Sequence, residues 1–373
     1  MFLEYIQIKD ESIMKIVCLI DGLGLGGAQR QLIGLTQGLC EKQYDAELVY
    51  YDPSHFYLDT VKNIGLNYKY IDAPKNKIGK LVTIFRYLNQ NKPNCIISYM
   101  DGASIISCLY KIFNPSVRLI VSERNTTQKL NIRSRIQFFL YRFADLIIPN
   151  SYTQYNYISN RFPRLISKTI AITNFTDVSH FSPKFDAKLN DCPIILTVGR
   201  IAPQKNVINY IRAISDVKSR FNGNFKIRWV GNITNKEYYE ECLDLIREFK
   251  LENVLEFKPQ TTSIINEYHA CDIFCLPSLY EGFPNALCEA IACGLPVMCS
   301  NICDNAVIVN YGANGLLFDP KSVNSMSSAI LTYLKMPYDK LCDIGMENRK
   351  YAVERFSYDN FIGKYISCIE KIM

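Results

Sequence analysis

The chain has 373 residues, 48% of them hydrophobic and 21% charged. That is more than one hydrophobic core usually organises, so the composition predicts two globular domains and argues against a disordered chain. No apolar run approaches the ~18 residues of a spanning helix, and the net charge of +6, with no recognisable DNA or RNA module, argues against nucleic acid as a partner.

The first thirteen residues carry Glu4, Asp10 and Glu11 and no apolar stretch, so they do not read as a signal peptide, and structure is expected from about Met14. Short β-branched runs at 16–20, 47–51, 68–72, 95–99, 119–122, 146–149 and 169–173 alternate with helical stretches. Such alternation predicts a parallel, doubly wound sheet. After a polar stretch around 182–191 the pattern restarts at 194–198, 226–230, 254–257, 273–276 and 296–299, and helices are expected over 322–334, 338–355 and 358–372. The fold class is α/β, with two Rossmann-like domains over 14–180 and 190–356 and a linker between Asp177 and Pro193. Ligands of these sheets bind beyond the carboxyl ends of the strands, so two such domains facing each other would enclose a cleft, and the loops after the strands are where chemistry is expected.

The first strand runs into Asp21-Gly22-Leu23-Gly24-Leu25-Gly26-Gly27-Ala28, where Gly22, Gly24 and Gly27 satisfy the G-x-G-x-x-G spacing of a dinucleotide-binding loop, with Asp52 past the second strand as a ribose acid. An NAD-dependent oxidoreductase is therefore one open reading. Another is that Gly26 and Gly27 let the backbone and the helix that follows approach a phosphate, and a third is a tight turn with no ligand.

Residues 1–185 hold 22 Lys/Arg against 14 Asp/Glu, giving +8, and the remainder holds 20 against 22, giving −2. Lys75, Lys77, Lys80 and Arg86, then Lys129, Arg133, Arg135 and Arg142, fall in two predicted helices that also carry Ile, Leu and Phe. An anionic membrane surface and an ordinary solvated helix face fit this pattern equally. The fourteen cysteines sit mostly in apolar segments and read as reduced core residues. The three histidines are far apart and no C-x-x-C pair occurs, so no protein-bound metal is expected.

In the second half, the strand at 194–198 ends in Gly199-Arg200, with Lys205 following as a helix begins near Gln204. A nucleoside diphosphate leaving a sugar gains negative charge, and a fixed guanidinium and ammonium stabilise that charge most in the transition state. The strand at 273–276 leads to Ser278-Leu279-Tyr280-Glu281-Gly282-Phe283-Pro284-Asn285-Ala286-Leu287-Cys288-Glu289. Pro284 is expected at the first position of a helix whose free amides hold a diphosphate, while Glu281 and Glu289 accept hydrogen bonds from sugar and ribose hydroxyls at its two flanks.

This run resembles the retaining, GT-B-fold glycosyltransferases of glycosyltransferase family 4, which share two glutamates in an E-G-F-P-N context. Gly26-Gly27-Ala28, Asn174 with Asp177, Gly199-Arg200 with Lys205-Asn206, Val230-Gly231, Ala292-Cys293-Gly294-Leu295-Pro296-Val297 and Asn314-Gly315-Leu316-Leu317 extend the resemblance over nearly everything from Met14 onward. It implies catalytic roles for Arg200, Lys205 and Glu281. It implies a donor site of Gly26, Gly27, Gly199, Gly231, the 282–285 segment (Gly282, Phe283, Pro284, Asn285), Leu287 and Glu289. It further implies retention of anomeric configuration, no metal or other cofactor, and a last segment, 357–373, that packs back on the first domain. Where many relatives have a histidine after the fifth strand, this chain has Glu123-Arg124-Asn125, which makes Arg124 and Asn125 acceptor-side candidates.

The resulting expectation is an enzyme moving a hexose or N-acetylhexosamine from a UDP- or GDP-sugar, UDP being favoured, to a glycan or lipid-linked saccharide in bacterial surface polysaccharide or lipopolysaccharide synthesis. It would act in the cytoplasm or against the inner face of the plasma membrane. The alternatives are the oxidoreductase and a catalytically silent GT-B scaffold.

Overall fold

The computed structural model describes residues 14–127, 130–184, 190–310 and 312–373. The leader 1–13, Lys129 of the basic set and residues 185–189 of the expected linker lie outside them. The chain forms two compact units: one holds the chain up to Pro149, Tyr157–Ile170 and Lys364–Met373, the other Asn150–Asn156 and Ala171–Gly363.

In the first unit β1 (Lys15–Ile20), β2 (Asp45–Tyr50), β3 (Tyr68–Tyr70), β4 (Cys95–Tyr99), β5 (Arg118–Glu123) and β6 (Leu146–Pro149) form one parallel sheet in the order β3-β2-β1-β4-β5-β6. Both faces of such a sheet are covered, which is why β1 reads as the continuous apolar run KIVCLI. The covering helices are α1 (Gly27–Glu41), α2 (Leu58–Asn63), α3 (Lys77–Asn91), α4 (Asp101–Phe113), α5 (Ile132–Leu140) and, from Tyr157 on, α6 (Tyr152–Arg161), whose first residues belong to the second unit. Val17, Leu19, Ile96 and Val121 point to one face, where they pack with Ile84 and Leu88 of α3, Tyr110 of α4 and Phe138 of α5.

The second unit repeats the plan. β7 (Ile194–Val198), α7 (Val207–Arg220), β8 (Lys226–Val230), α8 (Lys236–Glu248), β9 (Leu255–Lys258), α9 (Ile264–His269) and β10 (Ile273–Leu276) are followed by α10 (Asn285–Ala292), β11 (Val297–Ser300), α11 (Cys303–Asn310) and β12 (Gly315–Phe318). The parallel order is β12-β11-β10-β7-β8-β9, so the strand order reverses between β7 and β10, just as it does between β1 and β4. Then come α12 (Val323–Leu334), α13 (Tyr338–Arg355) and α14 (Tyr358–Ile372). The end of α14 belongs to the first unit, where the Tyr365 hydroxyl lies 2.9 Å from that of Tyr99.

Four sequence expectations need correction. The run 169–173 is no sheet strand: Thr169 makes one isolated bridge to Ile147 beside the edge strand β6. The segment 315–318, read only as a motif, is the edge strand β12, pairing with β11. The helix expected near Gln204 starts at Val207, because Lys205 ends a 3-10 turn and Asn206 is left-handed, φ 62° and ψ 35°. Pro284 is the N-cap of α10 and not its first residue. All fourteen cysteines are free and ten are buried. Among the described residues no helix is long and apolar enough to cross a membrane.

Candidate functional site

The switch point between β7 and β10 is where a doubly wound sheet opens a crevice at its carboxyl edge, and three loops of the second unit meet there. The loop after β7 and the start of the loop after β8 touch through bare backbone. A Cβ on Gly231 would fall 2.1 Å from the Gly199 carbonyl oxygen. That oxygen accepts a hydrogen bond from Trp229 Nε1 at 2.7 Å, and the Gly199 N–H donates to Val230 O at 3.0 Å.

Gly199 also makes room for Lys205, whose Cε would lie 3.1 Å from an added Cβ. Lys205 Nζ donates to Glu281 Oε1 at 2.5 Å, and Ser278 Oγ donates to the same oxygen at 2.5 Å. The two side chains of this ion pair are 14% and 9% exposed, so it is largely out of water. Arg200 stays exposed and reaches Gln204 Oε1 at 3.2 Å, while Gln204 Nε2 holds the Tyr280 carbonyl at 2.9 Å. The two cations therefore flank one loop, one half-buried against a carboxylate and the other at the surface.

Asn206 locks this arrangement. Its side-chain amide donates to Pro277 O at 3.1 Å and Pro320 O at 2.8 Å, tying the loop after β7 to those after β10 and β12. Asparagine tolerates the left-handed backbone that alanine resists by about 1–2 kcal/mol. Asn206→Ala is expected to lose that and both hydrogen bonds, whereas Asn206→Gly loses only the hydrogen bonds. Urea denaturation should rank wild type above Asn206→Gly, and Asn206→Gly above Asn206→Ala.

The start of α10 is a narrower amide cradle than the sequence implies. Pro284 has no N–H and that of Asn285 turns inward to Phe283 O at 3.0 Å. Besides Gly282 and Phe283, this leaves Ala286 and Leu287, whose first-turn N–H groups have no acceptor within the helix. The Phe283 side chain is core, packed 6.1 Å from the Phe356 ring, so only its backbone can serve a ligand. The Asn285 side chain is oriented by Asn174, whose Nδ2 donates to Asn285 Oδ1 at 2.8 Å. Two turns of α10 place Glu289 beside Tyr268, whose hydroxyl donates to Oε2 at 3.0 Å. Tyr268, Asn174, Ser278 and Gln204 were given no role from sequence, and no local pattern marks Tyr268.

The first unit answers the rival readings. A Cβ on Gly24 would fall 2.7 Å from Ser54 Oγ and one on Gly22 3.3 Å from Asp52 Cβ, and the Leu23 N–H donates to Ser54 O at 2.9 Å. The chain's own loop after β2 packs directly against Gly22 and Gly24, and Asp52, the ribose acid of the dinucleotide reading, is paired with Lys80 at 2.8 Å. The G-x-G spacing is thus a packing device. Gly26 caps α1 with extended backbone and Gly27 is its first residue; both stay partly accessible. Asp21 accepts from the Tyr51 hydroxyl and, at 2.8 Å, from the Ala103 N–H; burial pushes its carboxyl up. Arg124 is buried, its guanidinium 3.7 Å from the Tyr99 ring centroid and 3.2 Å from the Tyr365 hydroxyl. It packs the end of α14 rather than presenting its charge, and Asn125 is the exposed member of that pair.

Residues 180–351 match the family model described as glycosyl transferases group 1. The chain is 28% identical over 248 residues to the N-acetylgalactosamine-N,N'-diacetylbacillosaminyl-diphospho-undecaprenol 4-alpha-N-acetylgalactosaminyltransferase of Campylobacter jejuni, covering 64% of this chain and 66% of that one. It is 24% identical to the amylovoran biosynthesis glycosyltransferase AmsD of Erwinia amylovora, over 81% of this chain and 87% of that protein. The structure of Anabaena HepE in complex with UDP superposes with a TM-score of 0.83 at 18% identity, covering 96% of this chain and 100% of HepE.

Proposed function

We propose that this chain, which has the GT-B fold and whose residues 180–351 match the glycosyl transferases group 1 model, moves a hexose or N-acetylhexosamine from a UDP-sugar to a saccharide or lipid-linked saccharide. The observation that carries the reading is the Lys205–Glu281 pair set beside the free amides of α10 at the β7/β10 switch point. A nucleotide diphosphate bound there meets Lys205, Arg200 and the N–H groups of Gly282, Phe283, Ala286 and Leu287. Lys205 has three donor hydrogens, so it can hold Glu281 and a phosphate oxygen together. Glu281 then accepts from sugar hydroxyls, and Glu289, steadied by Tyr268, from the ribose.

In the reaction, the bond between the anomeric carbon and the phosphate oxygen breaks and the nucleoside diphosphate leaves with the electron pair. The acceptor hydroxyl bonds to that carbon on the same face and gives its proton to the leaving phosphate oxygen, which retains configuration. The protein's part is to stabilise the departing charge, and its own residues supply that without a metal. UDP is favoured because HepE was solved with it. A lipid-linked acceptor and work at the inner face of the plasma membrane are favoured because the Campylobacter relative's name specifies a diphospho-undecaprenol acceptor.

Thermal stabilisation by a panel of UDP- and GDP-sugars tests this. One UDP-sugar should raise the melting temperature, and Glu289→Ala, which removes hydrogen bonds to a charged acceptor worth about 1.5–3 kcal/mol, should weaken its binding by roughly 10- to 100-fold in calorimetric titration. Unchanged affinity in that variant would remove the ribose assignment.

A further inference from the structure

The first turn of α10 is short of donors. Pro284 has no N–H, the Asn285 N–H is turned inward, and the helix ladder starts only at Cys288, which donates to Pro284 O at 3.1 Å. Two consecutive positions from which a helix start offers amides to a phosphate are therefore lost here.

The Asn285 side chain stands where it can replace them. Side chains on a helix lean toward its N-terminus, so that of the first residue of α10 covers the turn before it rather than the helix body. It is half-buried, and its carboxamide has two ends of opposite hydrogen-bonding sense. Which end faces outward is set by a residue 111 positions earlier in the chain: Asn174 donates its Nδ2 to Asn285 Oδ1 at 2.8 Å. Asn174 is itself buried, 4% exposed. With its oxygen turned to a fixed donor, the Asn285 amide presents Nδ2, and among the described residues no acceptor meets that nitrogen.

A sugar hydroxyl both donates and accepts, so it tolerates either end of an amide. A phosphate oxygen only accepts, and an amide oxygen aimed at it repels it. The fixed sense of Asn285 therefore matches a phosphate. We propose that Asn285 Nδ2 is a further donor to the diphosphate of the nucleotide, and that Asn174 is a positioning residue that keeps it one. Resting on the donor reading above, this adds to the backbone amides a side-chain donor whose sense is set from outside the α10 loop. A purely structural tie between Asn174 and α10 explains a bond between the two residues but not its direction.

Calorimetric titration of the full chain with UDP, which carries the diphosphate without the sugar, tests this. Asn285→Ala should bind UDP roughly 10- to 100-fold more weakly, the loss of one hydrogen bond to a charged acceptor. Asn285→Asp keeps an oxygen for Asn174 and puts an acceptor where the outward donor was, so it should bind at least as weakly as Asn285→Ala. Asn174→Ala should weaken UDP binding by about 3- to 10-fold in the wild-type background and have no further effect in Asn285→Ala, because its influence passes through that amide. A cooperative melting transition without ligand identifies the folded variants. Asn285→Asp, which keeps the Asn174 bond, decides the Asn285 assignment if Asn174→Ala does not fold. Wild-type UDP affinity in Asn285→Ala or Asn285→Asp would overturn the proposal, and so would additive losses for the two alanines, which make Asn174 structural only. A loss seen with a UDP-sugar but not with UDP would assign Asn285 to the sugar and overturn it as well. A wild-type chain that binds no UDP would instead refute the donor reading itself, and this assignment with it.

Discussion

Lys205→Ala is expected to lower kcat for sugar transfer by about 10²–10³, the range seen when one preorganised donor to developing negative charge is removed. The structure adds a second consequence. Glu281 is 7% exposed and would keep Ser278 while losing its ammonium partner, and removing one member of a buried pair costs about 3–5 kcal/mol of stability at the high end. The two effects separate in the double variant Lys205→Ala/Glu281→Gln, where no charge is left stranded. Its melting temperature should recover most of the loss while transfer stays down. Recovery of transfer along with stability would mean that Lys205 acts only as a counter-ion.

The paired glycines at the carboxyl edge of the second sheet should respond differently, one through backbone and the other through Lys205. In Gly231→Ala the new methyl would lie 2.1 Å from the Gly199 carbonyl oxygen and 2.6 Å from its carbon. Neither is a flexible group, so the loops after β7 and β8 must part and the Trp229 hydrogen bond with them. Overpacking of that kind costs about 1–3 kcal/mol, or a melting-temperature fall of roughly 2–12 °C at about 2–4 °C per kcal/mol for a unit of this size. Donor affinity should fall as well. In Gly199→Ala the nearest atom is Lys205 Cε at 3.1 Å, the middle of a movable side chain. That variant should lose turnover because Lys205 is displaced from Glu281, and its melting temperature should fall only by the cost of loosening that pair. Scanning calorimetry with steady-state kinetics on both variants reads the contrast, and a stable, fully active Gly231→Ala would refute the close approach.

The parts of the fold legible in the sequence were those set by covered parallel sheets. Runs such as KIVCLI and IFCL are apolar on both faces because helices lie on both sides, and they read directly as strands. Edge elements were harder. β12, GLLF, has no β-branched residue, is mostly half-exposed and follows a turn, so it carried little signal, while 169–173 is largely β-branched but finds one bridge before the chain passes to the second unit. Within the site, the positions of Arg200, Lys205, Glu281 and Glu289 on loops and a helix start were readable from the strands before them. Their pairing was not: Lys205 and Glu281 are 76 residues apart and Arg124 and Tyr365 are 241 apart, and no local pattern encodes such contacts. The glycine spacing at 22–27 shows the converse failure, a motif whose geometry serves the chain's own loop.

Hydrogen exchange of the full chain with and without UDP tests the central claim most directly. The donor site proposed here requires slowed exchange over Gly199–Asn206 and Gly282–Leu287, with the slowing over Gly282–Leu287 persisting, though weaker, in Lys205→Ala. Protection confined to the Gly22–Gly27 loop, or none in the second unit at saturating UDP, would contradict it.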